Sequence, residues 1–391
     1  MITYNFNQKL NRKNTNSLKW DLFDSELPMW VADMDFSLAP EIREALQKTT
    51  TMDVLGYTII PDEWYEAYIN WWKKYNLELE KPWLKFATGV MPAISTIIKK
   101  LTNENDKILI QTPVYHMFFH VIENNNRQVI ENKLKYENNK YSIDFKDLEE
   151  KLENPDVKLM LLCNPHNPVG KIWTKEELEK IGQLAYNHNV IVVADEIHCD
   201  LTNPGKTYIP FSSINKINQE NSITTIAPTK TFNIAGLKTS AISIPSRNIR
   251  EKVFNAIDTD GLGEANIFAI NGTIAAYNNA GNWLKNLRQY LYENKQYVNK
   301  YLKEEIPEIT MIKSDATYLL WLDCSKLNID SRKFNKLLIE KTGLQISPGR
   351  DFGINGDSFI RINIACPQEQ LKDGLNRLKR GVEIHKRGDY K

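Results

Sequence analysis

The chain has 391 residues, of which 42% are hydrophobic and 25% charged, and its formal net charge is +1. That near-neutral balance leaves no concentrated basic footprint for nucleic acid or an anionic membrane, so neither is expected as a partner. A length beyond the roughly 250–300 residues at which single cores stop growing implies more than one domain.

Residues 1–30 are polar and aromatic without strong periodicity, and the stretch Met1 to Lys9 has no apolar core of signal-peptide length. No later run approaches the roughly eighteen apolar residues of a membrane span, and a cytoplasmic protein is expected. The first distinctive segment is LPMWVADMDF, Leu27 to Phe36. Asp33 and Asp35 would open a metal loop only if further ligands followed; the next carboxylate, Glu41, stands at a helix start, so no metal is expected. Pro40 suits the first position of an amphipathic helix through Lys48, and a second helix is predicted from Pro61 to Tyr75 after the turn Gly56-Tyr57. The aromatic residues of this second helix, Trp64, Tyr65, Tyr68, Trp71 and Trp72, read as core or subunit interface.

At Gly89 a turn opens a helix whose first main-chain N–H groups, with those of Val90 and Met91, can receive a phosphate. Strands and helices then alternate: Ile108 to Gln111, a helix after Tyr115, Val129 to Ile130, a helix near Phe145 to Leu152, Lys158 to Cys163, a helix from Thr174 to Asn187, Val190 to Ala194, and Ile223 to Ile226. Near-continuous apolar strands separated by such helices predict an α/β fold with a mostly parallel sheet covered on both faces. Ligands of these sheets bind at the strands' carboxyl ends. Asn167, Asp195 and Lys230 each fall just past the end of an apolar run, and so in one cleft.

Beyond Ser240 to Ile244, helices are expected over Ile249 to Asp258 and Glu264 to Asn279, then a long one from Trp283 to Lys303. Tyr318 to Leu322, a helix from Ser331 to Lys341, the strand Phe359 to Ile364 and a helix from Gln368 to Ile384 compose a smaller α+β unit. The division expected is 1–45 for the N-terminal part of the small domain, 46–282 for the large domain, and 283–391 for the linking helix and C-terminal part. Arg361, in the middle of an apolar strand, needs an anionic partner, either a structural carboxylate or a substrate's. Arg350 lies in a loop at the surface or the cleft rim. The four cysteines, Cys163, Cys199, Cys324 and Cys366, lack paired spacing and read as reduced, buried thiols.

The order of asparagine, aspartate and lysine, each after an apolar run, resembles the fold-type I pyridoxal phosphate enzymes, the aspartate aminotransferase superfamily, over nearly the whole chain. LPMWVADMDF and DEIHCDL, Asp195 to Leu201, resemble the carbon–sulfur β-lyase branch, the MalY/PatB-type cystathionine β-lyases. The resemblance implies pyridoxal 5'-phosphate as cofactor, with Lys230 as its covalent anchor, Asp195 beside the pyridine nitrogen, Asn167 at the phenolic oxygen and Tyr115 stacked on the ring. It implies the Gly89, Val90, Met91 turn, Thr229 and Lys238 at the phosphate, and Tyr57 reaching the phosphate of a partner subunit, so that a homodimer would share its active sites. His198, where many relatives carry tyrosine, is expected near the phenolic oxygen. Arg361 would hold the substrate's α-carboxylate, with Asn167 and the main chain of Val31 and Ala32 nearby.

Two departures from the superfamily pattern, Ala227 for a common serine and Lys238 for a common arginine, leave the phosphate ligands open, because lysine offers a point charge rather than a planar fork. The reaction implied is α,β-elimination from cystathionine or another S-conjugate of L-cysteine, with Lys230 as base. An aminotransferase would use the same lysine, aspartate and arginine, and a protein that also sequesters a transcription factor is a reading of another class.

Overall fold

The computed structural model describes residues 4–23 and 25–388, so the outermost three residues of each expected terminal segment lie outside the described residues. The helices and strands follow from their local chemistry. Helix α1 (Pro40–Thr50) has proline in its first turn, and α2 (Asp62–Trp72) follows Pro61. Strand β1 (Leu84–Ala87), which the composition does not announce, leads through Gly89 into α3 (Val90–Leu101). Then come β2 (Lys107–Thr112), α4 (Met117–Glu123), β3 (Gln128–Lys133), α5 (Phe145–Leu152), β4 (Val157–Cys163), α6 (Lys175–Asn187), β5 (Ile191–Asp195) and β6 (Ser222–Ile226). The α6 helix opens on a capping box, Thr174 and Glu177 satisfying each other's main-chain N–H.

A short helix α7 (Pro228–Thr231) carries Lys230, and β7 (Ser240–Ser243) follows. The rest comprises α8 (Arg247–Thr259), α9 (Ile267–Asn279), α10 (Gly281–Glu305), β8 (Thr310–Met311), β9 (Leu319–Asp323), α11 (Ser331–Thr342), β10 (Ser347–Pro348), β11 (Phe359–Asn363) and α12 (Gln368–Arg387). The expected boundary after residue 45 falls inside α1, a continuous helix packed on α9, so no linker lies there.

The large sheet has the order β1-β7-β6-β5-β4-β2-β3. All its strands are parallel except β7, which runs against both neighbours. Alternate residues supply its two faces, as the pleat requires: Leu159 and Leu161 pack with Ile94, Ile97 and Val253, whereas Met160 and Leu162 pack with Leu148, Leu178 and Ile181. Reversal of β7 has a specific result. Because β1 is antiparallel to β7, it runs the same way as the others, and its exit at Gly89 shares one rim with the exits of β2, β4, β5 and β6. The entry to β7, at Lys238 and Thr239, lies on that rim too.

The smaller antiparallel sheet, β8-β9-β11-β10, packs against α10 and α12 through Leu287, Leu291, Leu319, Ile360, Ile362 and Leu375, together with Met29 and Phe36 from the N-terminal segment. Leu27–Pro28 also pair in parallel with Leu344–Gln345. Asp35 is buried where these pieces meet and accepts from Lys19 (2.7 Å), Arg12 (2.7 Å), Trp20 (2.9 Å) and Gln370 (2.8 Å). Arg12 also grips Asp33. The two acids considered for a metal are thus engaged by cations of the chain itself. All four cysteines are free and buried. No helix among the described residues is long and apolar enough to cross a membrane.

Trp64, Tyr68 and Trp72 of α2 are fully buried, in a core shared with Tyr277. Trp71 does something else. Its indole donates to the buried carboxylate of Asp200 (3.0 Å), which also accepts from Lys74 (2.9 Å), Tyr75 (2.6 Å) and, on α7, Thr231 (3.0 Å). A carboxylate with this many donors, lost from a dry site, leaves several buried groups unpaired. We expect Asp200→Ala to lower stability by about 3 kcal/mol or more, read as a shift in urea midpoint at constant slope; an unchanged midpoint would show that the network carries no stability.

Candidate active site

The rim collects the predicted residues around one cavity of about 230 Å³, lined by Gly89, Val90 and Met91 at one end, Thr229 and Lys238 beside them, and Tyr115, Asn167, Asp195, His198, Lys230 and Ala32 further in. Asp195 is the last residue of β5 rather than a residue beyond it, and Lys230 sits on α7 rather than at the strand's exit. Tyr57 does not line this cavity; its side chain is fully exposed on the same chain. Arg350 is at the surface and pairs with Asp357 at 3.6 Å.

Lys230 makes a single hydrogen bond among the described residues, donating to the Ala32 carbonyl at 2.6 Å. Burial lowers its pKa from 10.5 to about 8; Asp33 and Asp195 act against that shift, while Arg361 and Lys238 reinforce it. Asp195 has one oxygen fixed by the main-chain N–H of Ile197 and the hydroxyl of Thr225, both at 3.3 Å, and no partner among the described residues for the other. Desolvation raises its carboxyl pKa to about 6, so it is ionised at neutral pH. His198 is buried beside it, with Nδ1 unpartnered, and burial together with Lys230 and Arg361 drives its pKa down to about 3. It is a neutral ring.

Arg361 has no carboxylate partner among the described residues. Its guanidinium donates to the Asn167 side-chain oxygen (3.2 Å), the Trp30 carbonyl (2.8 Å) and Ser347 (3.2 Å), lies 4.7 Å over the Phe352 ring, and keeps Nε unpaired. The structural ion pair weighed for it is therefore absent, and burial lowers its pKa to about 10. A buried guanidinium held only by neutral acceptors is poised for an anion. By taking the Asn167 oxygen, Arg361 also turns the amide nitrogen of Asn167 outward as a donor.

Pyridoxal phosphate fits this set. The first N–H groups of α3 are not capped by any side chain and, with Thr229 and Lys238, can receive a phosphate dianion. The unpaired oxygen of Asp195 suits a protonated pyridine nitrogen, and the amine of Lys230 suits the aldehyde.

Several neighbours were not anticipated. The N–H groups of Val31 and Ala32 take no acceptor among the described residues, but their carbonyls are engaged, by Asn363 (2.6 Å) for Val31 and by Lys230 and Tyr318 for Ala32. Asn363 could have been found, because it stands two residues from Arg361 in an apolar strand and so shares its face. Tyr318 is indistinguishable in sequence from a core aromatic.

The family model for aminotransferase class I and II matches residues 28–378. The chain is 39% identical to cystathionine beta-lyase PatB of Bacillus subtilis over 96% of its own length and 99% of the relative's, and 32% identical to protein MalY of Escherichia coli over 95% and 97%. Its structure superposes on the PLP-bound C–S lyase from Staphylococcus hominis with a TM-score of 0.92 and 33% identity, covering 97% of this chain and 98% of that one.

The depressed Lys230 pKa has a thermodynamic consequence. Between about pH 8 and 10.5 the unfolded chain binds this proton and the folded chain does not, so the penalty for burying the amine is full below pH 8 and fades as pH rises to 10.5. Lys230→Met should stabilise the cofactor-free chain by on the order of 1–3 kcal/mol at pH 7, with the gain shrinking toward pH 10. Urea titrations at both pH values measure it, and a gain independent of pH would contradict the assignment.

Proposed function

This chain belongs to the aminotransferase class I and II family, and on that premise we propose that it is a pyridoxal phosphate-dependent carbon–sulfur β-lyase. Its substrates are L-cystathionine and related S-conjugates of L-cysteine; the products are a thiol, homocysteine from cystathionine, with pyruvate and ammonia. The observation that carries the reading is a cavity lined by the depressed-pKa amine of Lys230 and by Asn167, with Arg361, bonded to Asn167 and to no carboxylate among the described residues, directly behind it, in a chain 39% identical to a cystathionine beta-lyase.

Arg361 receives the substrate's α-carboxylate through its guanidinium, and the free N–H groups of Val31 and Ala32 follow Trp30, whose carbonyl Arg361 holds. Asn167 touches Arg361 and lines the cavity, coupling the carboxylate end of the site to the cofactor end. When bound, pyridoxal phosphate supplies an electron sink conjugated to the substrate's Cα, which makes the Cα–H acidic. Lys230, as neutral amine, takes that proton on Nζ. The Cα–H electrons form the Cα–Cβ double bond as the Cβ–S bond breaks and its pair leaves with sulfur; the three-carbon remainder, once released, takes up water and yields pyruvate and ammonia. Asp195, held by Ile197 and Thr225, keeps the pyridine nitrogen protonated, and neutral His198 adds no competing charge.

The same proposal includes a homodimer in which Tyr57 reaches the partner's phosphate site. Its support is the run of exposed apolar side chains, Val54, Leu55, Tyr57 and Ile59, ahead of α2. It includes a cytoplasmic location, in keeping with four unpaired buried thiols, and no nucleic acid or membrane partner, in keeping with the net charge of +1. It also divides the chain into a large unit carrying Lys230 and a small one carrying Arg361.

Lys230→Ala should abolish pyruvate release from cystathionine, measured by a coupled dehydrogenase assay. Amino transfer to a 2-oxoacid faster than pyruvate release in the unaltered protein would favour the aminotransferase reading. Arg361→Lys keeps the charge and loses the fork, and should raise KM about tenfold or more with a smaller effect on kcat.

A further inference from the structure

Residues Trp30 to Asp35 form a strap that meets the cavity at Ala32, and its carbonyls are bonded one after another. The Trp30 carbonyl accepts from Arg361, and the carbonyls of Val31 and Asp33 both accept from the side-chain nitrogen of Asn363 at 2.6 Å. The Asn363 amide cannot turn over, because its oxygen accepts from the Ala365 N–H at 2.8 Å. On the other side Asn233, just beyond α7, binds both the N–H (2.9 Å) and the carbonyl (3.0 Å) of Met34. The peptide on either side of Ala32 is thereby fixed, and the Ala32 oxygen between them accepts from two donors, Lys230 at 2.6 Å and the buried Tyr318 hydroxyl at 3.0 Å. A carbonyl oxygen has two lone pairs, so this one is fully used.

We propose that the Ala32 carbonyl is the station of the Lys230 amine whenever that amine is free, and that Tyr318 and Asn363 are positioning residues which hold this oxygen and set its strength as an acceptor. The inference rests on the reading of Lys230 as the reaction's base. A neutral amine donating one hydrogen to Ala32 keeps its lone pair for the substrate proton. Once it has taken that proton, the ammonium is stabilised by the same oxygen. Because Tyr318 occupies part of the oxygen's capacity, the ammonium is not held so tightly that the proton fails to leave. The other charged groups around the amine are Asp33 and Asp195, which favour the ammonium, and Arg361 and Lys238, which oppose it; His198 is neutral. Replacing Tyr318 removes none of these four charges, although its hydroxyl faces two of them, Asp33 and Arg361.

The test is Tyr318→Phe, which removes one hydroxyl and keeps the ring. In the full chain freed of cofactor, the pH dependence of Lys230 acylation by trace acetic anhydride, read by mass spectrometry, gives the amine's midpoint directly. We expect it to rise by about half a pH unit or more, each unit corresponding to a tenfold change in proton affinity. In the holoenzyme the acid limb of kcat should move to higher pH by a similar amount, while the titration of the visible absorbance stays in place, since the amine is then engaged elsewhere. Asn363→Ser, which leaves the hydroxyl but loosens the carbonyl that receives the ammonium, should move the labelling midpoint in the opposite direction, to lower pH. An unmoved midpoint in both variants, or activity reduced equally at all pH values, would overturn the proposal. Because the labelling needs no turnover, a shifted midpoint in a protein without lyase activity would support the positioning and overturn only the reaction it serves.

Discussion

Two cations, the partly buried Lys230 and the buried Arg361, share one cleft, and among the described residues no carboxylate is bonded to either. The cost of desolvating a charge in such a place is several kcal/mol, and proteins avoid it unless a partner arrives. Here the chain spreads the cost over neutral oxygens: Ala32 for the lysine, and Trp30, Asn167 and Ser347 for the arginine. These acceptors are weaker than carboxylates, so both groups can exchange them for a ligand. Most of the surrounding order serves to keep the oxygens in place, since a carbonyl free to rotate toward water would leave the cation unsolvated and the site unformed.

The lining comes from distant parts of the sequence, and the reversed strand β7 explains how. In a wholly parallel sheet each crossover adds one exit to the rim. A reversed strand places its own entry there and restores the direction of its outer neighbour, so Lys238 and the Gly89 turn join the exits of the parallel strands. The proposed phosphate end is built entirely from this edge, and the proposed substrate end from the small sheet and the strap. Asp200 ties α2 to the helix that carries Lys230.

Much of this was legible in the sequence. Long apolar strands separated by helices specify the large sheet, and polar residues at their ends specify the rim, because both patterns are local. Arg361 stood out as a charge in an apolar run. The antiparallel sense of β7 was not legible, since a four-residue buried strand has no feature that fixes direction. Nor was the strap. LPMWVADMDF looks like a recognition motif, yet its work is done by main-chain carbonyls, which every residue possesses, and the side chains that hold them, Asn233 and Asn363, lie far away in sequence. Lys230 was expected at the end of a strand, but Pro228 starts a helical turn that carries it.

The partners of Asp35 are Arg12, Lys19, Trp20 and Gln370, and those of the strap are Arg361 and Asn363. A ribosome makes the strap early and its clamps late. Until the strand bearing Arg361 and Asn363 has emerged, the carbonyls of the segment around Trp30 have only water to bond, and its apolar side chains lack their counterpart. Contacts of such long sequence separation close slowly. The cleft accordingly cannot be completed until all but the last stretch of the chain has been made.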